Sequence, residues 1–184
     1  MIFTAKEKKI LNLAWIFGIV YFFIGFIETA ADFYQLTGDT SLLNTSLYIV
    51  VKTISAISFV FFFTGFHTIA NRYNSQLLKV ITLFLMAAFV ISNCIDVFSM
   101  HLIDEIIAVR TVIECIVFGG LQLVFGIGIL QLKSKLGQLA QVNGILEIIV
   151  GVSLTTVFLA SLGLFLLIPT IIIEVFLLYK LAKK

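Results

Sequence analysis

Two carboxylates sit where carboxylates are costly. Glu147 stands in GILEIIVG and Glu174 in IPTIIIEVFLLY, both flanked by aliphatic residues. Placing an acid at the middle of a helix in hydrocarbon costs ~2.5–3.5 kcal/mol. The low dielectric favours the neutral carboxylic acid there. A neutral acid can donate a hydrogen bond to a carbonyl or to Asn143, as structural glue. Alternatively it can carry a proton or take a cation, with His67 and Gln122 as candidate partners.

A second set lies nearer one end of the apolar runs: Glu28, Asp32, Lys52, Asn93, Asp96, Arg110 and Glu114. Glu28 and Asp32 are four apart, so they share a helix face with Gly18 and Gly25. Arg110 and Glu114 are also four apart and can pair along their own helix. Opposite charges at one level on four helices point to a shared polar cavity open to the outside. In it Lys52 and Arg110 would face an anion, balanced by Glu28, Asp96 and Glu114. The competing reading is that the bases snorkel to headgroups and the acids are solvated.

Other chemistries lack their residues. Only two histidines occur, His67 and His101, and there is no HxxxH, HExxH or CxxC spacing, so no metal centre or haem is expected. No nucleophile elbow, phosphate-binding loop or dinucleotide fingerprint is present, and no cofactor is implied. The net charge of +2 and the lack of a basic surface domain exclude nucleic acid as a partner. Cys94 and Cys115 lie inside apolar runs and read as free buried thiols.

The elements that must hold these groups follow from composition. The 184 residues are 61% hydrophobic and 12% charged, with a mean hydropathy of +1.17, against about 25% charged in a soluble domain. Lipid must solvate most of the surface. Continuous apolar runs, not ~10-residue alternation, exclude a β-barrel. A spanning helix needs ~20 apolar residues. Six are expected, at 10–31, 47–70, 77–99, 106–131, 138–160 and 162–181, in a single all-α transmembrane domain. Asn44, Thr45 and Ser46 offer a cap to the second span, Asn74 and Ser75 to the third, and Asp104 to the fourth. Ser161 and Gly163 predict a tight turn into the sixth. Pro169 predicts a kink, or a broken helix with carbonyls free for an ion.

Lys6, Lys8, Lys9, Arg72, Lys79, Lys133, Lys135, Lys180, Lys183 and Lys184 all fall at one end of the alternating spans. The opposite loops carry Asp32, Asp39, Asp104 and Glu105. Positive residues stay cytoplasmic, so both termini are expected inside. The first span exceeds the 7–15 apolar residues of a signal peptide and is expected to be retained.

The pattern LAxxxGIxxxxxG occurs at Leu13–Gly25 and again at Leu139–Gly151. Val51-Lys52-Thr53-Ile54 is similar to Val109-Arg110-Thr111-Val112. This fits three helical hairpins related by duplication, while chance similarity among apolar helices competes.

GGLQLVFGIGILQLKSKLGQLAQVNGILEIIVG, from Gly119 to Gly151, and LLIPTIIIEVFLLYKL, from Leu166 to Leu181, resemble a group of small multi-pass bacterial inner-membrane proteins of unknown function. The shared features are a basic loop joining two helices and a last span with a Pro followed by a Glu. The resemblance implies a bacterial inner-membrane location and no activity.

Three functions compete at this level. The first is a compact transporter, or a transporter subunit with a partner protein or a second copy, holding a small molecule or ion in the outward cavity. The second is a structural or regulatory membrane protein whose polar residues fix helix register. The weakest is an intramembrane enzyme acting on a lipid or isoprenoid, with Glu114 as proton donor.

Overall fold

The computed structural model describes residues 3–36, 45–99 and 104–184, apart from the side chains of 33–36 and 104–108. Asn44, Asp39, His101 and the side chains of Asp104 and Glu105 lie outside the described residues.

The described chain is all helical: α1 (Ala5–Leu36), α2 (Thr45–Tyr73), α3 (Gln76–Phe98), α4 (Asp104–Leu130), α5 (Lys133–Leu136), α6 (Gln138–Thr155) and α7 (Ala160–Lys183). All but α5 are long and apolar enough to cross a membrane. The chain is a multi-pass membrane protein, and lipid is the solvent for its flanks. Large apolar side chains on those flanks, such as Phe23, Phe84 and Phe165, are more than half exposed.

Each spanning helix packs on its chain neighbours, and α7 closes the circle by packing on α1. Short connections make such neighbours antiparallel. The start of α1 therefore meets the end of α2, where Glu7 lies 4.0 Å from Arg72. Lys135 donates to the Tyr73 carbonyl at 3.3 Å from the α4–α6 turn. The basic residues of these turns thus gather at one end of the bundle. Trp15 and Tyr179 pack edge to face near the same end, as interfacial aromatics do.

Local signals account for most boundaries. Thr4 and Glu7 form a capping box: Glu7 Oε2 accepts from the Thr4 N–H at 2.6 Å, and Thr4 Oγ1 accepts from the Glu7 N–H at 3.3 Å. This starts α1 at Ala5, before the apolar run expected from 10 onward. Ser75 caps α3, its Oγ accepting from the Leu78 N–H. Gly137, with φ +84, ends the unexpected one-turn α5 in a conformation that side chains resist.

Three expectations need correction. The turn into the last span is not at Ser161 and Gly163; α6 ends at Thr155, and both residues lie inside α7. Gly163 instead serves packing, since a Cβ there would sit 3.1 Å from Leu154. Of the two readings of Pro169, the broken helix is overturned, since α7 runs unbroken across it. The cysteines are free, but Cys94 is exposed on the flank and Cys115 only half-buried.

Hydrocarbon gives no hydrophobic drive for one helix to leave it for another, so close backbone approach must hold the bundle together. The α4–α6 seam shows how. A Cβ added to Gly119 would lie 2.8 Å from the Gly151 carbonyl oxygen, and one on Gly151 would lie 2.7 Å from that of Gly119. Gly126 and Gly144 oppose each other in the same way, at 2.8 Å in both directions. The two glycines on each helix are seven apart and matched in reverse order, as an antiparallel pair requires. On the inner side of α2, Phe59, Phe62, Phe63 and Phe66 interlock with Phe89 of α3 and Phe125 of α4. The two motifs matched in sequence are alike in having a tightly packed first glycine, Gly18 against Phe62 and Val175 and Gly144 against α4, and differ at the second: Gly151 is pressed against α4, whereas nothing lies within 4 Å of a Cβ on Gly25.

Gly144→Ala should therefore destabilise the protein by ~1–3 kcal/mol through overpacking. Gly25→Ala should be neutral or stabilising by up to ~1 kcal/mol through helix propensity. Thermal unfolding of both variants in one detergent checks the contrast; equal effects would contradict the seam.

Candidate functional site

The outward set converges. Lys52, on α2, is 3% exposed. Its Nζ donates to Glu28 Oε1 at 2.9 Å, Asp32 Oδ2 at 2.9 Å and Asp96 Oδ2 at 2.6 Å. An ammonium has three donors, and all three are taken, by acids from α1 and α3. The reason is the register of three antiparallel helices: the Glu28–Asp32 face of α1 and Asp96 of α3 flank Lys52 at one height. The three acids offer oxygens within 4.8 Å of one another, a spacing suited to a metal ion. The lysine ammonium stands at their focus as a tethered cation.

Around this centre the network extends to α4. Arg110 Nη2 lies 2.7 Å from Asp96 Oδ1 as an ion pair without a well-directed hydrogen bond, and its Nε lies 3.5 Å from Glu114 Oε1. Arg110 also donates to Ser99 Oγ. Ser92 donates to Glu114 Oε1 at 2.7 Å, Tyr48 to Asp32 Oδ1 at 3.0 Å, and Ser55 to Glu28 Oε2. Thus α1, α2, α3 and α4 are tied together by two bases, four acids and four hydroxyls. Asp32 and Glu114 are the more exposed members, and Lys52 and Asp96 the most buried.

Asn93 stands apart from the ion pairs. Its Nδ2 donates to the Phe89 carbonyl at 2.9 Å, and its Oδ1 has no partner. It borders, with Lys52, a cavity of about 480 Å³ between α2 and α3, walled otherwise by apolar residues such as Val60, Val90 and Phe98. This is a lipid-facing groove with a polar edge, and it differs from the polar outward cavity expected from sequence.

The second polar region is built by α6 and α7. Glu147 and Glu174 are each 2% exposed, and their carboxyl groups meet, with Asn143 beside Glu174. Asn143 is one turn before Glu147, so both lie on one face of α6, in reach of Glu174 of α7, with the Glu147 Cβ also against Gly126 of α4. Glu147 Oε2, Glu174 Oε1 and both amide atoms of the fully buried Asn143 have no hydrogen-bond partner. Among the described residues no base is paired with either acid. Gln122 lies on α4 midway between the seam glycines Gly119 and Gly126, and its Oε1 is also unpartnered.

His67, expected as a partner of these acids, is not brought to them. Its Nδ1 meets Thr82 Oγ1 at 3.2 Å, and that hydroxyl donates to the Lys79 carbonyl at 2.9 Å. The hydroxyl proton is therefore committed, which makes Nδ1 the donor and leaves Nε2 as an acceptor.

Sequence reasoning missed Tyr21, which stands between the two regions. It is within electrostatic range of Glu28 and Lys52 on one side and of Glu147 and Glu174 on the other. Its position seven residues before Glu28, on one face of α1, was the available signal. The hydroxyls of Tyr48, Ser55, Ser92 and Ser99 were also missed, because serine and tyrosine in apolar helices carry no pattern of their own.

No family model matches the chain, and no curated protein or solved structure is detectably similar to it.

Lys52→Met should cost ~3–5 kcal/mol, because it leaves three carboxylates facing one another without their cation. The triple change Lys52→Met, Glu28→Gln, Asp96→Asn should recover most of that loss. Thermal unfolding in detergent measures both. A loss below ~1 kcal/mol for Lys52→Met would show that water, not the protein, neutralises the acids.

Proposed function

We propose that this protein is a compact membrane transporter, or the membrane subunit of one, coupled to a cation whose simplest form is the proton. The working group is the Glu147–Glu174 pair. The observation that carries this reading is the meeting of two carboxyls on adjacent helices, buried and without a base. Two unit negative charges a few ångströms apart repel by several kcal/mol even at an effective dielectric of 20. The pair must therefore hold a proton, and any change that opens it to water lets that proton leave. Glutamates of this kind inside membrane helices mark proton and ion paths.

The outward network takes a different part from the one its residue types suggested. Lys52 has no donor left for an anion. Glu28, Asp32, Lys52 and Asp96 serve as a strap that fixes the outer ends of α1, α2 and α3, while Arg110 and Glu114 add α4. The saturation of Lys52 favours, for this network, the structural role. Under this reading the basic end faces the cytoplasm, the bilayer is that of a bacterial inner membrane, and substrate enters from the strapped side.

Wild type and the Glu147→Gln and Glu174→Gln variants, reconstituted in liposomes with an entrapped pH-sensitive dye, test the reading. Wild type should dissipate an imposed pH gradient about tenfold faster than either variant, a difference of ~1.4 kcal/mol in barrier. All three should unfold at similar temperatures, since glutamine keeps the size of the side chain. Equal rates in the three samples would overturn the proposal.

A further inference from the structure

We infer that the pocket between the α5–α6 turn and the end of α7 binds the phosphate headgroup of an anionic membrane lipid, with Lys135, Lys180 and Lys184 as its cationic wall. This inference stands apart from the proton-coupled reading and uses none of its residues.

Charge singles out this pocket within the basic end of the bundle. Among the described residues, Glu7 is the one acid at that end, and it lies 4.0 Å from Arg72. Lys135 has a cavity on either side. The one that Arg72 borders, of about 560 Å³, is partly neutralised by Glu7. The other, also of about 560 Å³, is bordered by Lys135, Lys180 and Lys184 together with Ser134 and Gln138. All three lysines are exposed, and among the described residues none is paired with an acid. Lys135 gives one of its three donors to the Tyr73 carbonyl, at 3.3 Å. Three cations around one concave space, with no acid among them, call for an anion.

The height of the pocket makes that anion a headgroup. Lys180 follows Tyr179, whose ring packs edge to face on Trp15 at 5.4 Å and lies 5.8 Å from the Lys183 ammonium. Aromatic rings of this kind sit at headgroup level. Basic pockets between spanning helices at that level hold the phosphates of anionic lipids.

The remaining wall favours a lipid over a soluble phosphate. Leu139 and Val142 complete the cavity on its α6 side. Val142 is 40% exposed, and Ile145 and Ile149, three and seven residues further on, are 44% and 43% exposed. That spacing places them on one face of α6, as an apolar stripe that leads from the lysines into the hydrocarbon. A lipid uses both parts, with its phosphate among the ammonium groups and a chain along the stripe. A free phosphate uses only the first.

The test uses the full chain in a nonionic detergent, with bound lipid counted by native mass spectrometry. The probes are a short-chain phosphatidylglycerol, a phosphatidylcholine of the same chain length, and inorganic phosphate. The expected result is one phosphatidylglycerol per chain, held about tenfold more tightly than phosphatidylcholine and not displaced by an equal concentration of phosphate. The triple variant Lys135→Gln, Lys180→Gln, Lys184→Gln should lose this preference. The triple variant Lys6→Gln, Lys8→Gln, Lys9→Gln removes the same charge from the same end and should keep it. Arginine at 135, 180 and 184 keeps the charge and should keep the preference, which separates recognition from any loss of fold in the glutamine variant. Equal affinity for the two lipids overturns the inference. So does an equal loss in the two glutamine variants, since the charge of the whole end would then suffice. Displacement by phosphate at equal concentration overturns the lipid assignment and makes the pocket a site for a soluble anion.

Discussion

Hydrocarbon offers an ionised side chain no partner, so each charge below the headgroups must be neutralised by another part of the protein. In this bundle the constraint is met in two different ways. Near the strapped end, acids are cancelled by bases: Lys52 takes three carboxylates, and Arg110 takes Asp96 and Glu114. Among the described residues no base is paired with Glu147 of α6 or Glu174 of α7. The two solutions have different consequences. An ion pair saturated in all its donors holds helices at one height and resists change. A pair of acids without a base depends on what it can take from solution.

Packing follows from the same solvent. Since lipid is as apolar as leucine, helices are held by contact area and by polar links. The α4–α6 seam supplies contact through opposed glycines whose carbonyls would clash with any added Cβ. The α1–α2–α3 group supplies it through interlocked aromatics and the Lys52 strap. The seam has a further effect on the site. Glu147 lies between Gly144 and Gly151 on the same face of α6, where a Cβ on Gly126 of α4 would lie 2.8 Å from its own Cβ, so the close approach that holds α6 to α4 also fixes where the Glu147 side chain starts. A bulkier seam would move the carboxyl as well as weaken the bundle.

The sequence was most informative where one physical signal dominates. Long apolar runs located six spanning helices, and the cost of charge in oil identified Glu28, Lys52, Asp96, Arg110 and Glu114 as a converging group. Boundaries were less legible where polar and apolar signals disagree. The capping box at Thr4 and Glu7 extends α1 through Lys6, Lys8 and Lys9, which hydropathy alone excludes. Gly163 read as a turn because glycine serves both turns and close packing, and only the neighbouring Leu154 decides between them. The largest gap concerned stoichiometry. Residue types show that bases and acids share a level; they do not show that one ammonium would meet three acids and so have nothing left for a ligand. His67 was misplaced for a similar reason, since its partner is a threonine, a residue too common in these helices to be singled out.

The two polar regions draw on different helices, and this separation bears on how the protein could work. The strap ties α1, α2, α3 and α4, while the acid pair belongs to α6 and α7. They come into electrostatic range of each other at Tyr21, on α1, a helix of the strap that also packs against α7. Tyr21 is thus the side chain on which the charges of both regions act. Coupling between sites requires a physical element that both of them bias. At the α1–α7 contact, Tyr21 and the open space beside Gly25 border a cavity of about 610 Å³ against Leu164, Leu167 and Ile171. Helix α1 can approach α7 there without displacing a side chain at Gly25, whereas the glycine seam leaves α4 and α6 no such room. The open space is thus on the side of the bundle where the strap and the acid pair both act on Tyr21.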